Sequence, residues 1–368
     1  MALQTSGAIS LNDIHVEAGG SSGTTCSMND TDIRGLTPAA GRTINTTNQG
    51  ETDFADYYGA SAEVSLPTSG STINGQVQLK EISASSYISS GGTLRIPSSM
   101  WVWSDDRTVA ALTVDIPCTI INDGKIIGKG GRGGSGLRWA NYPPPTTSAY
   151  NSGYHNNTVG NGSDGGHAIN VTSSGVTIVN SSGAYIAGGG GGGGSSGVEP
   201  QNSFSGGGGG AGGADGGYAN FNDNSWSGSN PPRLGYGGSL NAKGYNINNS
   251  GNQYTTYGGE AGGPGVQSAG EDQVSGAGYG GGRIVPGNRV DPSNSAFTYG
   301  GAANEAGENG GAGGNTGKSG GGGGWGASGG RGYRGAFVSH QCQGGSAGSA
   351  ITGTSRTLSN SGTIYGGT

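Results

Sequence analysis

The sequence predicts a mainly β and irregular fold: short N-terminal helical turns, a small β-hairpin region, then a polyglycine II helix bundle with distal loops. Three observations predict it. Glycine supplies 86 of the 368 residues. Hydrophobic residues make up only 30% and charged residues only 11%, against roughly 45–50% and about 25% in ordinary globular domains. Neither a large apolar interior nor charge-swollen disorder fits that balance. Finally, the glycines gather in blocks separated by varied text and lack the G-X-Y period of collagen.

Residues 1–63 form the first region. "SLNDIHV" at Ser10 returns as "SMNDTDI" at Ser27, and each copy puts Ser-x-x-Asp ahead of spaced apolar residues. That is a capping-box-like start, in which side-chain oxygens satisfy orphan backbone amides, so two short helical turns are expected. Phe54, Tyr57 and Tyr58 are expected to pack on them or on a neighbouring subunit. Residues 64–127 read as β-structure, because "STINGQVQLKEI", "GTLRIPSSMWVW" and "VAALTVDIPCTII" are rich in β-branched and aromatic residues punctuated by Gly, Pro and Ser. Trp101 and Trp103, two apart, fall on one face of a strand and anchor a small core.

The glycine-rich region, residues 128–368, is bracketed by a repeat. "TIINDGKIIGKGG" at Thr119, "TIVNSSGAYIAGG" at Thr177 and "TLSNSGTIYGG" at Thr357 share Thr, Asn, a small turn and an Ile before glycine. Asn followed by Gly is hairpin chemistry, since both tolerate a left-handed backbone. The lead-ins "GHAINVTSS" and "GSAITGTSR" also match. Glycine blocks then begin at Gly188, Gly206, Gly258, Gly276, Gly310 and Gly320. Extended helices with three residues per turn leave every backbone group unpaired internally, so those groups must bond to neighbouring rods. Without side chains such rods approach on several sides. The unbroken run Gly188 to Gly194 is expected at the centre, spanning about 20 Å at 3.1 Å per residue.

These stretches, with "GGGGGWGASGGRG" and "GSAITGTSRTLSNSGTIYGG", resemble the glycine-rich receptor-binding domains of bacteriophage tail-fibre adhesins. The resemblance runs from about Thr119 to Thr368. It implies a layered polyglycine II bundle whose variable loops bind a host outer-membrane protein or surface glycan. The opening "GAISLNDIHVEAGGSSGTTCSMNDTDIRGL" resembles N-terminal segments of phage tail and virion proteins. Residues 1–63 are accordingly expected to attach to the virion or fibre, and residues 64–127 to form a shaft or connector. The domain with which separate tip adhesins clasp a long fibre is not recognised in the sequence. Other phage tail or fibre proteins are the expected partners, and a homotrimer is expected by analogy.

Other chemistries find less support. A net charge of −6 does not suit a phosphate-tracking surface, so no nucleic-acid partner is expected. No stretch approaches the ~20 apolar residues of a membrane span, so no membrane insertion is expected. Cys26, Cys118 and Cys342 are isolated and odd in number, and His15, His155, His167 and His340 lack ligand spacing, so neither metal nor cofactor is expected. "AGGNTGKS", ending at Ser319, departs from a P-loop at Ala312, and "GAGYGG" at Gly276 follows no strand. A depolymerase would need paired acids, for which Asp105, Asp106, Asp164, Asp215, Asp223 and Asp291 are available in turn-like contexts. The inserts between rods are richer. Trp139, Tyr142, Tyr150 and Tyr154 fall in one; Phe221, Trp226, Arg233, Tyr236, Tyr245, Tyr254 and Tyr257 in another; Arg289 and Phe297 in a third. Tyr, Trp and Arg amid Ser, Gly and Asn form the vocabulary of paratopes. The expected function is therefore a non-enzymatic virion adhesin with these residues in its binding loops. The alternatives are a structural glycine-rich virion protein and a polysaccharide depolymerase.

Overall fold

The structure, a computed structural model, describes residues 3–39, 41–67, 72–73, 76–134, 160–195, 207–214, 218–219, 233–236, 245–246, 301, 304–307, 309, 319–333 and 341–368. The N-terminal segment has a core of its own, in which Ile14, Ile33, Leu36, Ile44 and Tyr57 are buried together. Helix α1 (Leu11–Glu17) starts at the expected capping box. The Asp13 amide donates to the Ser10 hydroxyl at 3.1 Å, and the Ser10 amide donates to the Asp13 carboxylate at 2.8 Å. In the second copy the Ser27 amide donates to Asp30 at 2.7 Å, and helix α2 (Thr31–Arg34) begins only after that turn. A third box, Asp53 with Asp56, starts the 3-10 turn Phe54–Tyr57. That turn sends Tyr57 into the core and leaves Phe54 exposed.

From Glu63 the hairpin expectation is corrected, because the strands stack in parallel. A first sheet is made of Glu63–Ser65, Thr93–Ile96, Thr119–Asn122, Val176–Asn180 and Arg356–Asn360, in that order. A second contains Gln76–Lys80, Met100–Trp103, Lys125–Ile127, Tyr185–Ala187 and Thr363–Tyr365. The third contains Ile82–Ser83, Leu112–Val114, Ile169–Val171 and Ile351–Gly353. Among the described strands of these three sheets, Thr72–Ile73 alone pairs antiparallel, with the start of Gln76–Lys80. The chain visits first, second and third sheet in turn and then begins again, which makes a three-sided β-solenoid.

Alternation along each strand points every second residue inward. Leu94, Ile120 and Ile178 stack in register on the first sheet, Val102, Ile126 and Ile186 on the second, and Leu112, Ile169 and Ile351 on the third. All nine belong to one buried cluster. At about 1.5–3 kcal/mol for each buried aliphatic side chain, these columns are the main apolar stabilisation of a chain with few hydrophobic residues.

The repeated Asn closes no hairpin. Register places Asn122 beside Asn180 and Asn180 beside Asn360, and each Nδ2 donates to the next Oδ1 at 2.8 Å. Asn180 Nδ2 also lies 3.2 Å from the Thr363 carbonyl, so the ladder clamps the corner between first and second sheets. A type I′ hairpin needs two residues with positive φ. The turn after Asn180 has one, Gly183 at 82°, and the turn after Asn122 has none, so the chain bends without reversing.

The glycine-rich text enters as two insertions at another corner, between second and third sheets. Residues 128–168 separate Lys125–Ile127 from Ile169–Val171, and residues 188–350 separate Tyr185–Ala187 from Ile351–Gly353. The solenoid therefore draws strands from both sides of residue 128. Gly188 to Gly194 is buried throughout and bonds to six glycine-rich segments and to Tyr365 among the described residues. The amides of Gly188, Gly191 and Gly194 donate to the carbonyls of Tyr365, Ala327 and Gly330; those of Gly189 and Gly192 to Gly166 and Ser163; those of Gly190 and Gly193 to Ala211 and Gly208. Its carbonyls accept at the same interval: Gly190 and Gly193 from Gly131 and Gly134, Gly189 and Gly192 from Gly348 and Gly345, and Gly191 and Gly194 from Gly323 and Gly320. All these bonds measure 2.7 to 2.9 Å. A sheet gives a strand two neighbours; this run changes neighbour at each residue and returns to it at the third. A methyl group on Gly191 would overlap the Gly345 carbonyl, so the close approach demands glycine there.

Candidate functional site

The rods run out from the solenoid and back to it. At the near end, Gly128 donates to the Ala187 carbonyl at 2.8 Å and Gly188 to the Tyr365 carbonyl at 2.9 Å. At the far end several described segments stop and resume beside one another. Gly134 donates to Gly193 at 2.8 Å, and the returning chain is caught at Gly160, whose carbonyl accepts from the Ser195 amide at 2.9 Å and hydroxyl at 3.1 Å. Gly207 then donates to Gly134 at 2.8 Å and Gly208 to Gly320 at 3.0 Å. The antiparallel pair Gly332–Tyr333 with Gln341–Cys342 closes beside the same place, with Cys342 Sγ 3.5 Å from Ser195 Oγ. The ends of residues 135–159, 196–206 and 334–340, and the return at Ser319 and Gly320, therefore converge on Gly193 to Ser195.

Where a rod has no glycine neighbour, side chains take over. Asn161, Asp164 and His167, three residues apart, accept from the amides of Gln343, Ser346 and Ser349 at 2.8, 2.7 and 3.0 Å. The bundle is joined to the solenoid through the outward face of the second sheet. Tyr185 meets Trp101 with centroids 5.7 Å apart, Trp325 at 5.2 Å and Tyr365 at 6.1 Å. Burial pushes the Tyr185 hydroxyl well above the usual tyrosine range. It also holds the Lys125 ammonium, 5.2 Å from the Trp101 ring centre, below the usual lysine range. Trp101 and Trp103 do share a face, and Trp101 is buried with Ile127, Ala187, Ala211 and Trp325.

Of the binding residues expected from sequence, Arg233 and Tyr236 bound the strand Arg233–Tyr236, and Tyr245 opens Tyr245–Asn246; the two strands pair with Tyr236 opposite Tyr245. Trp139, Tyr142, Tyr150, Tyr154, Phe221, Trp226, Tyr254, Tyr257, Arg289 and Phe297 lie outside the described residues. So do Asp215, Asp223, Asp291, His155, His340, Ala312 and "GAGYGG". The described acids are engaged: Asp105 pairs with Lys129 at 2.9 Å, Asp106 accepts from Thr108 at 2.8 Å, and Asp164 belongs to the side-chain ladder. Cys118 and Cys342 are buried, and burial pushes the Cys118 thiol up to about 11. Among the described residues no three His, Cys, Asp or Glu gather as for a metal. No helix there is long and apolar enough to cross a membrane.

A family model for the phage tail fibre adhesin Gp38 matches residues 62–290. The chain belongs to the Gp38 family of phage tail fibre adhesins. The match begins where the solenoid begins, at Ala62, whose carbonyl accepts from Thr93 at 3.3 Å. Membership places this adhesin in the virion tail. No curated protein matches it in sequence. The crystal structure of the gp37-gp38 adhesin tip complex of the bacteriophage S16 long tail fiber aligns at 18% identity over 76% of this chain and 71% of that one, with a TM-score of 0.27. At that score the fold of this Gp38 adhesin stands on its own geometry. Sequence reasoning passed over Trp325 and the Asn161, Asp164, His167 ladder. The ladder's signal was the recurrence of polar residues at every third position beside glycine.

Proposed function

We propose that this adhesin binds a host outer-membrane protein or surface glycan without catalysis, through inserts rooted at the far end of a polyglycine II bundle. The observation that carries this reading is the convergence of insert ends on Gly193 to Ser195, away from the solenoid. Return to the same neighbour at every third residue matches a helix of three residues per turn, and six neighbours make the central rod stiff. A stiff root lowers the ordering cost of binding and lets insert sequence vary without disturbing the scaffold. Residues 1–63, with their separate core, serve as the attachment segment to other tail or fibre proteins, residues 64–127 as connector, and residues 128–368 as the receptor-binding part.

Gly134 and Gly160 are neighbours, since a side chain on Gly134 would overlap the Gly160 carbonyl. A short glycine linker replacing residues 135–159 therefore closes without strain. That replacement, and Tyr245→Ala with Tyr254→Ala, are expected to leave the melting temperature within a few degrees while cutting host-cell adsorption of the purified protein. Unchanged adsorption across all these variants would overturn the receptor-binding reading, and release of reducing sugar from host polysaccharide would overturn the non-enzymatic one.

A further inference from the structure

We infer that the insert of residues 215–300 is a second binding element, for neutral sugar rings of a surface glycan, and that one face of the sheet it carries supplies the contact. The inference rests on the receptor-binding reading above and gives this insert a ligand of its own. Its roots set it apart. Residues 207–214 run back along the rod that begins at Gly128: Gly207 donates to Gly134 at 2.8 Å, Gly210 to Gly131 at 2.9 Å, and the Gly212 carbonyl accepts from Gly130 at 3.3 Å. That course ends on the solenoid side, where Ala211 is buried with Ile127, Ala187 and Trp325. Beyond the insert, the Asn304 amide donates to the Trp325 carbonyl at 3.0 Å, on the same side. Gly193 to Ser195, where the other insert ends converge, is the opposite end of the bundle.

Three antiparallel strands of the insert form one sheet, with Arg233–Tyr236 between Tyr218–Ala219 and Tyr245–Asn246. Tyr218 stands opposite Leu234, and Tyr236 opposite Tyr245. Leu234 and Tyr236 are two apart on the central strand and so share a face; directly opposed residues share one as well. Tyr218, Leu234, Tyr236 and Tyr245 therefore belong to one face, and Ala219, Arg233, Gly235 and Asn246 to the other. Each strand contributes one tyrosine to the first face. Opposed positions are about 5 Å apart and diagonal ones about 7–8 Å, so the three tyrosine positions form a row roughly 12 Å long. Such a row is longer than a single sugar ring and suits a run of linked ones.

Composition selects the occupant. Of the forty residues from Tyr218 to Tyr257, nine are Asn and only three are charged, Asp223, Arg233 and Lys243. An amide side chain donates and accepts at once, which matches neighbouring hydroxyl groups that do the same. Tyrosine adds the complementary surface, because the C–H face of a sugar ring is apolar and an aromatic face turns partial negative charge toward those hydrogens. Recognition of a charged partner, whether an acidic glycan or a protein loop, draws on opposed charges. One acid and two bases in forty residues offer few of them, and a neutral glycan is the occupant that fits.

The test is calorimetric titration of the full chain with oligosaccharides released from host surface polysaccharide by mild acid and split into neutral and acidic fractions on an anion exchanger. The neutral fraction is expected to bind saturably, and the acidic fraction at least about tenfold more weakly. Tyr236→Ala and Tyr245→Ala are each expected to weaken the neutral fraction about tenfold, as truncation of an aromatic anchor does, with an unchanged melting temperature. Ala219→Gln, on the opposite face, and the linker variant lacking residues 135–159, rooted at the opposite end, are expected to bind it as the parent does. Absence of saturable binding, an acidic fraction that binds equally well, tyrosine variants that bind as the parent, or Ala219→Gln as damaging as they are would each overturn the proposal. So would a melting temperature lowered in both tyrosine variants, which would make that face part of a core. If the 135–159 replacement cuts adsorption to host cells while the neutral fraction fails to bind, the glycan proposal falls and the receptor-binding reading stands. If the neutral fraction binds through the tyrosines but no variant changes adsorption, the reverse holds.

Discussion

Gly191 shows what one missing side chain contributes. Its amide bonds to Ala327, its carbonyl accepts from Gly323, and the site of its absent Cβ is occupied by the Gly345 carbonyl. Backbone cannot yield as a side-chain tip can, so Gly191→Val is expected to cost more than the ~1–3 kcal/mol of ordinary overpacking and to abolish cooperative thermal unfolding followed by circular dichroism. Gly367 has only an ordinary contact with Ser349 Oγ, and Gly367→Ala is expected to unfold as the parent does. The enclosure of the run from Gly188 was legible in the sequence, because unbroken glycine suits a segment approached from every side. Its particular neighbours were not, since six glycine-rich segments offer identical chemistry.

At the scale of the element, the Asn ladder is the part the sequence displayed but did not explain. The three Thr-to-Asn units were visible as a repeat, and their lead-ins "GHAINVTSS" and "GSAITGTSR" were visibly alike; in the fold these are neighbouring strands of the third sheet. Local chemistry pointed to hairpins because an Asn before Gly suits a reversing turn and a solenoid corner equally well. The deciding partners lie 58 and 180 residues away, beyond any local signal. The ladder makes a graded prediction. Asn180 is fully buried and bonded on both sides, so Asn180→Ala takes the Oδ1 acceptor from Nδ2 of the fully buried Asn122 and removes the side-chain donor to the Thr363 carbonyl, and is expected to cost about 1–3 kcal/mol. Asn360 ends the ladder at an exposed position, and without it Asn180 Nδ2 keeps its bond to the Thr363 carbonyl, so Asn360→Ala is expected to cost under about 1 kcal/mol. Chemical denaturation of the two variants side by side separates these outcomes.

For the whole molecule, the connection between solenoid and bundle depends on one aromatic seam. Trp325 is nearly inaccessible, at 1% exposure, and its ring packs 5.2 Å from Tyr185 and 5.5 Å from Tyr365. Trp325→Ala is expected to cost about 3–5 kcal/mol, with hydrogen exchange accelerating at Gly323 and Gly326 before it does in the columns of the solenoid. Equal acceleration in both would contradict the seam. The sequence marked Trp101 and Trp103 as anchors because they stand two apart on a strand; Trp325, alone within glycine, carried no periodic signal. The mainly β class was readable from composition and block structure, but the parallel stacking of its strands was not, and the expected binding aromatics fall mainly beyond the described residues.

Uniform bonding at every third position also means that a rod displaced by three residues would meet an equivalent set of carbonyls. A glycine rod therefore carries no register information of its own. The solenoid supplies it: rods begin at Gly128 and Gly188, directly after strands locked in register by Ile126 and Ile186, and each reaches the far end six residues later, at Gly134 and Gly194. The apolar columns thus act as a ruler, and a one-residue deletion inside a rod would misplace the insert beyond it while leaving the solenoid untouched.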